Sequence, residues 1–215
     1  MIGQIAANYP DTLFNQIPRG IFNYGGGGVN AWRSICGGPN AGSALLAALG
    51  APTSVKDTYM AWYEGFAFPS NAAFDTYTAG GWTLTGKQIP KNKAPRAVPK
   101  SLLCHASHGR WTEAAGGTDG AWVQTQFAGS LGDAGSDRCG KLVYDCVYKL
   151  CELINAWKAN PAAWPNTFNA ALLDPSTVTC LTSGCHGGAG AYDPEIIDCA
   201  PEVAGKMKCD ESCHQ

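Results

Sequence analysis

The chain has 215 residues, a formal net charge of −2 and only 15% charged residues. Such a balance offers no basic surplus for nucleic acid or an anionic membrane. No apolar run approaches the ~18 residues of a membrane span. The length suits one ordinary domain with a modest appendage. Glycine is abundant at 27 residues, which implies many loops or much surface hidden in a partner, and favours a homo-oligomer.

The first residues, Met1 to Asn8, lack the charged and apolar regions of a secretory signal. Residues 1–28 read as loop, with a short apolar piece from Thr12 to Ile21. The run Gly25 to Gly28 lacks the spacing of a phosphate-binding loop and reads as a tight turn packed against backbone. A helix of small residues follows, ending near Gly50 with Pro52 as a stop. Cys36 stands at or just before its start, where the helix dipole favours a thiolate ligand.

Ser54, with Asp57 three residues on, reads as the start of a second helix. Val55, Tyr59, Trp62 and Phe66 have helical spacing, and the aromatic group Trp62, Tyr63, Phe66 and Phe68 reads as core or interface. Residues 69–100 read as irregular. The segment Lys87 to Lys100 carries five Lys or Arg and three Pro, a solvated loop. His105 and His108 then lie three apart, about one helical turn. After a Gly-rich stretch, Ser136 reads as the cap of a long helix from Asp137 to Ala159, stopped by Pro161. Its apolar stripe is Leu142, Val143, Cys146, Val147, Leu150, Leu153, Ile154 and Trp157. At about 100° per residue Cys139 shares the face of Cys146, and Cys151 does not. The axial offset of about 10 Å between Cys139 and Cys146 is long for one small cluster unless Cys139 sits in a bent first turn.

The tail carries the strongest signal. It reads Cys180-Leu-Thr-Ser-Gly-Cys185-His186 and Cys209-Asp-Glu-Ser-Cys213-His214. Two cysteines with a histidine directly after the second is the pattern of covalent c-type haem attachment, with spacers of four and three residues in place of two. The thiols add to haem vinyl groups and the adjacent imidazole meets one iron face. The same residue types suit zinc or, in a secreted chain, disulfides. Histidine arithmetic favours haem. The chain has four His, and two haems with two His ligands each need four. His186 and His214 are then the proximal ligands, and His105 and His108 the distal ones. One short element serving two irons brings the haems nearly into contact, and a two-fold partner could supply the distal pair. Haem c is attached outside the cytoplasm in bacteria, so an export signal preceding this sequence is expected. An iron–sulfur cluster acquired before export would suit the twin-arginine route.

These residues resemble the split-Soret cytochromes c and the broader redox family with a C-GCAxxG-C-C pattern. The matching pieces are Cys36 to Gly42, Leu103 to Trp111, Asp137 to Leu142 and the two tail motifs, and they span residues 30–214. The resemblance implies a homodimer with two bis-histidinyl haems per subunit, one His of each haem coming from the other subunit. It also implies a small iron–sulfur centre of the two-iron type, apart from the haems. Cys36, Cys104 and Cys139 match its ligands. Thr112 stands where family members often carry a Cys, so Cys146 is taken as the fourth ligand, with Cys151 and Cys199 as alternates.

The expectation is thus a mainly α-helical homodimer. Residues 1–160 form a helical domain with the iron–sulfur site, and residues 161–215 an irregular dihaem segment. The chain is an exported, periplasmic or extracellular, electron carrier for redox protein partners, not an enzyme. Filled coordination positions argue against substrate binding at iron, and bis-His ligation keeps the potential low. The rivals are a haem and iron–sulfur reductase and a zinc-stabilised structural protein.

Overall fold

A computed structural model describes residues 7–8, 19–81 and 90–172. The chain divides into two units, Met1–Thr167 and Phe168–Gln215. In the second unit the described residues include one 3-10 turn, Ala170–Leu172. Among the described residues the fold is helical, as expected. Its only strand-like pairings there are two isolated antiparallel bridges, Ile35 with Leu103 and Phe68 with Ala97. No helix among them is long and apolar enough to cross a membrane.

Six α-helices follow a 3-10 segment at Arg19–Gly25: α1 Gly37–Ala48, α2 Thr53–Gly65, α3 Ala72–Thr78, α4 Cys104–Ala114, α5 Ala121–Phe127 and α6 Leu131–Ala159. Helices α1, α2 and α6 enclose the main core, built from Leu45, Leu46, Val55, Tyr59, Tyr63, Phe68, Leu142, Leu150, Leu153 and Trp157. Small residues let α1 and α2 approach closely. A Cβ at Gly42 would stand 2.4 Å from the Tyr59 ring. Trp111, Ala115, Val123 and Ala134 form a second, smaller cluster beneath α4 and α5.

The first helix lies where its small-residue pattern places it, with Cys36 as the N-cap. The turn before it packs on backbone, as expected: a Cβ at Gly37 would meet the Gly25 carbonyl at 2.6 Å. The aromatic group at Trp62 to Phe68 is core. Tyr63 and Phe68 are fully buried, and their rings lie 5.0 Å apart.

Several boundaries differ from the sequence expectation. Helix α2 starts at Thr53, and Ser54 is not its cap. Asn166 Oδ1 accepts from the Thr53 amide at 2.9 Å and from its hydroxyl at 2.8 Å. A partner 113 residues away thus does the work of a local cap. The described parts of residues 69–100 are less irregular than their composition suggests. They hold α3, and buried Asn71 bridges to Ala94 in both directions, at 3.1 and 2.8 Å. The Lys-rich segment is pinned at Ala94, Ala97 and Pro95, while Lys91, Lys93 and Arg96 stay exposed.

The long helix begins at Leu131, six residues before the expected start, with Ser130 as its cap. Ser130 Oγ accepts from the Asp133 amide at 3.3 Å. Ser136 lies inside the helix and donates to the Gly132 carbonyl at 2.9 Å. Gly132 and Gly135 suggest a loop, yet the helix tolerates them because packing outweighs a propensity cost of about 1 kcal/mol each. The stripe on α6 is also narrower than expected. Val143 and Val147 are exposed, at 48% and 39%.

Candidate functional site

Helices α1 and α4 begin side by side. The Cys36 amide donates to the Leu102 carbonyl at 2.8 Å, and the His105 amide to the Arg33 carbonyl at 3.0 Å. The Cys104 amide bonds the Ser34 carbonyl. This short two-stranded pairing sets Cys36, the N-cap of α1, beside Cys104, the first residue of α4. Both thiols therefore lie at helix N-termini, where the dipole favours negative charge. Close packing holds them. A Cβ at Gly28 would stand 2.6 Å from Cys104 Cβ, and one at Gly38 would stand 2.8 Å from Cys146 Sγ.

Cys36 is the hub of the thiols. It interacts electrostatically with Cys104 and Cys139, and also with Cys146. Cys36, Cys104 and Cys146 are buried, Cys139 is half-buried, and all are free thiols. Cys151 is exposed on α6; Cys199 lies outside the described residues. The separation of faces on α6 is therefore as expected. Cys139 sits well inside the helix and not in a bent first turn, so its offset of about 10 Å from Cys146 stands. Cys104, Cys139 and Cys146 each stand near Cys36.

Burial pushes the Cys36 thiol up, against opposing hydrogen bonds from Tyr63 and the Gly38 backbone. Burial likewise pushes Cys146 far up, opposed by a Tyr59 hydrogen bond. Raised by desolvation, both thiols are protonated at neutral pH. A bound metal would draw those protons off. The donor chemistry fits an iron–sulfur cluster, since soft thiolates are its usual ligands. The spacing is looser than a ligating one. Among the described residues no three His, Cys, Asp or Glu side chains converge closely enough to hold a metal ion. Electrostatic proximity is the weaker criterion of the two, and it is the one these thiols meet.

A polar network that sequence reasoning missed wraps this group. Arg138, Ser107 and Tyr63 are all fully buried, at 1%, 1% and 0% exposure. Arg138 Nη2 donates to Ser107 Oγ at 2.6 Å and to the Ser107 carbonyl at 3.2 Å. The Tyr63 hydroxyl donates to Ser107 Oγ at 3.1 Å and also pairs with the Cys36 thiol. The only sequence cue was position, Arg138 being next to Cys139 and Ser107 next to His108.

The two histidines lie on one short helix, as their spacing predicts. They are not equivalent. His105 is exposed, and its Nδ1 meets the Arg33 carbonyl at 3.1 Å. A carbonyl only accepts, so Nδ1 donates in this bond, and in a neutral ring Nε2 is then the nitrogen that can ligate a metal. His108 is half-buried. Its Nδ1 meets Thr112 Oγ1 at 3.2 Å, and its ring lies edge-on to Trp111. Burial, with Arg138 and Arg33 nearby, lowers its pKa. The tail residues Cys180, Cys185, His186, Cys209, Cys213 and His214 lie outside the described residues.

No family model matches the chain. It is similar to split-Soret cytochrome c of Desulfovibrio desulfuricans (strain ATCC 27774 / DSM 6949 / MB), 24% identical over 211 residues. That alignment covers 95% of this chain and 66% of the relative, so the chain spans just under two thirds of the relative's length. Among solved structures it is similar to the one described as "A novel iron centre in the split-Soret cytochrome c from Desulfovibrio desulfuricans ATCC 27774", with TM-score 0.61 and 21% identity. That match covers 96% of this chain and 79% of the other. The likeness in structure shows the fold. The resemblance to split-Soret cytochrome c carried by the motifs is thus found again by sequence and by structure.

Proposed function

We propose that this chain is an exported c-type cytochrome of the split-Soret kind that carries electrons between redox proteins. The observation that carries the reading is the likeness to split-Soret cytochrome c over 95% of this chain, together with two cysteine–cysteine–histidine motifs in the tail.

In this reading two haems and an iron–sulfur cluster supply reversible one-electron chemistry. Cys180 and Cys185 anchor one haem and Cys209 and Cys213 the other, with His186 and His214 as proximal ligands. His105 and His108 serve as distal ligands across a homodimer. The Arg33 carbonyl holds the His105 ring through Nδ1. Cys36, Cys104 and Cys139 would hold the cluster, with Cys146 as the fourth thiolate. Its domain plan remains a helical body over residues 1–160 and a dihaem segment over 161–215, working in the periplasm or outside the cell. With every iron position filled by a protein ligand, the chain transfers electrons and does not turn over a substrate.

The deciding experiment is a visible spectrum of the purified protein with haem, iron and zinc counted per chain. Two covalent haems, a doubled Soret band, non-haem iron and a dimeric mass are expected. A colourless protein whose tail cysteines hold zinc would overturn the reading. Carbon monoxide binding to the reduced protein would turn it towards a reductase.

A further inference from the structure

A cleft of about 510 Å³ lies on the first unit between the end of α2, helix α3 and the middle of α6. Small-molecule sites usually span roughly 300–1,000 Å³. None of its lining residues is a thiol or a histidine. Trp62 and Phe66 line it from α2 and its cap, with ring centroids 5.1 Å apart. Tyr144 and Tyr148, one turn apart on α6, line it too, their rings stacked at 6.5 Å. The Thr76 and Tyr144 hydroxyls are hydrogen-bonded at 3.1 Å, which ties α3 to that wall.

The charged lining residues are two carboxylates, Asp145 and Glu152, and one ammonium, Lys149. Asp145 is only 6% exposed. Ser70 holds it, donating from its amide to Oδ2 at 2.8 Å and from its hydroxyl to Oδ1. Each of those oxygens has a further lone pair. The ion pairs among the described residues do not include Asp145, whereas Lys149 pairs with Glu152 at 3.2 Å. Four aromatic rings thus share a cleft with one carboxylate that has no matching cation. The charge disfavours anions, and the ring quadrupoles attract cations. Arg96 shows that attraction at the same wall. Its guanidinium lies 5.8 Å over the Phe66 ring while donating to the Ala67 carbonyl, and it does not line the cleft.

We propose that this cleft binds a small organic ammonium ion, with its positive head among the four rings and against Asp145. A bare metal ion is a poorer fit, because among the described residues no three His, Cys, Asp or Glu side chains converge to hold one. An alkylated ammonium needs few hydrogen-bond acceptors and gains most from aromatic contact.

The test is a ligand-observed nuclear magnetic resonance titration of the complete protein with three probes. Choline carries a methylated ammonium, butylammonium a primary one, and 3,3-dimethyl-1-butanol has the shape of choline without its charge. Choline should bind about ten-fold or more tightly than the alcohol. Tyr148→Ala, at a 61% exposed position, should weaken choline by about two- to thirty-fold. Asp145→Asn should weaken choline and leave the alcohol unchanged. Lys149→Gln removes the competing cation and should tighten choline, a gain that a merely structural role would not produce. Tyr148 and Lys149 are both exposed, so those two variants decide the matter even where Asp145→Asn fails to fold. Tighter binding of butylammonium than of choline would still support the site and assign it to primary amines. Equal binding of choline and the alcohol, or no binding of either cation, overturns the inference. So does choline binding that Tyr148→Ala and Lys149→Gln both leave unchanged, because the cation would then sit elsewhere.

Discussion

The Nε2 atom of His108 faces Gly135 of the long helix so closely that a Cβ there would stand 2.6 Å from it. The glycine is a notch that admits the imidazole, and Thr112 and Trp111 hold the ring from its other sides. Gly135→Ala therefore expels the ring towards solvent. Losing the Thr112 contact costs about 1 kcal/mol, while alanine in a helix returns about 1 kcal/mol. The net change in a denaturant melt is expected within about 1 kcal/mol of zero by those two terms. The sharper readout is the ring itself. Its pKa should rise towards the ordinary histidine value in a nuclear magnetic resonance titration of the haem-free chain. A wild-type-like titration would mean the backbone yields and the ring stays.

The same histidine sets a pH dependence. Its folded pKa lies below the model-peptide value of 6.5, chiefly through burial. As pH falls below 6.5 the unfolded chain takes up a proton before the folded one does. Stability is thus full above 6.5, falls as pH drops towards the depressed folded pKa, and then levels off. Urea midpoints of the haem-free chain at pH 7.5 and pH 5 should differ, and less so in His108→Gln. Equal losses in both proteins would assign the effect to another group.

Gly42 gives a contrast in packing. Its missing Cβ is where the fully buried Tyr59 ring lies, and the Tyr59 hydroxyl donates to the Gly38 carbonyl at 3.2 Å. Gly42→Ala should cost about 1–3 kcal/mol through overpacking, less the helix gain. Gly109, on α4 with open space where its Cβ would be, should accept alanine with a gain of up to about 1 kcal/mol. Thermal melts of the two variants should move in opposite directions.

These cases mark what a sequence can reveal here. Helix α1 was legible because small residues ended at Gly50 and Pro52, local signals for a local event. Cys36 and Cys104 were visible as candidates, but not as neighbours, since the bridge of Ile35 with Leu103 joins segments far apart in sequence. Cys139 and Cys146 could be placed on one face of α6 from periodicity alone. Arg138, Lys141 and Asp145 share that helix and are buried, yet charged residues are read as surface by default. Their partners come from distant segments, which no window along α6 contains. The start of α6 was missed for a related reason. Gly135 weakens the helix locally, and only the imidazole from α4 explains why it stands there.

Lys141 shows how much such distant partners carry. Its ammonium donates to the carbonyls of Lys91 and Asn92, both at 2.8 Å, and to Asp137 at 2.7 Å. It thereby holds the Lys-rich segment on α6. Lys141→Met fills the space but leaves the Asp137 carboxylate, nearly buried at 7% exposure, without its counter-charge and with the Lys91 amide at 2.8 Å as a donor, and it orphans two carbonyls. A loss of about 3–5 kcal/mol is expected from breaking one side of a buried pair. The double variant Lys141→Met, Asp137→Leu should recover part of it. A single variant as stable as wild type in chemical denaturation would mean the pair is solvated in solution.

The last prediction concerns the distal ligands. His105 is exposed, and its Nδ1 is held by the Arg33 carbonyl. His108 presents Nε2 to its own chain at Gly135. If both ligate iron, His108 must first leave its notch at Gly135. The two should respond differently to substitution. His105→Met keeps a sixth ligand and should raise the potential of one haem, since methionine favours the ferrous state more than histidine does. His105→Gly should open one coordination position, seen as a high-spin spectrum and carbon monoxide binding after reduction. Gly135→Ala, by contrast, should leave the low-spin spectrum intact, because it frees His108 in the direction that ligation requires. A high-spin shift in Gly135→Ala would show that His108 needs its notch and binds iron in no other way. Unchanged spectra in both His105 variants would remove His105 from the ligand set.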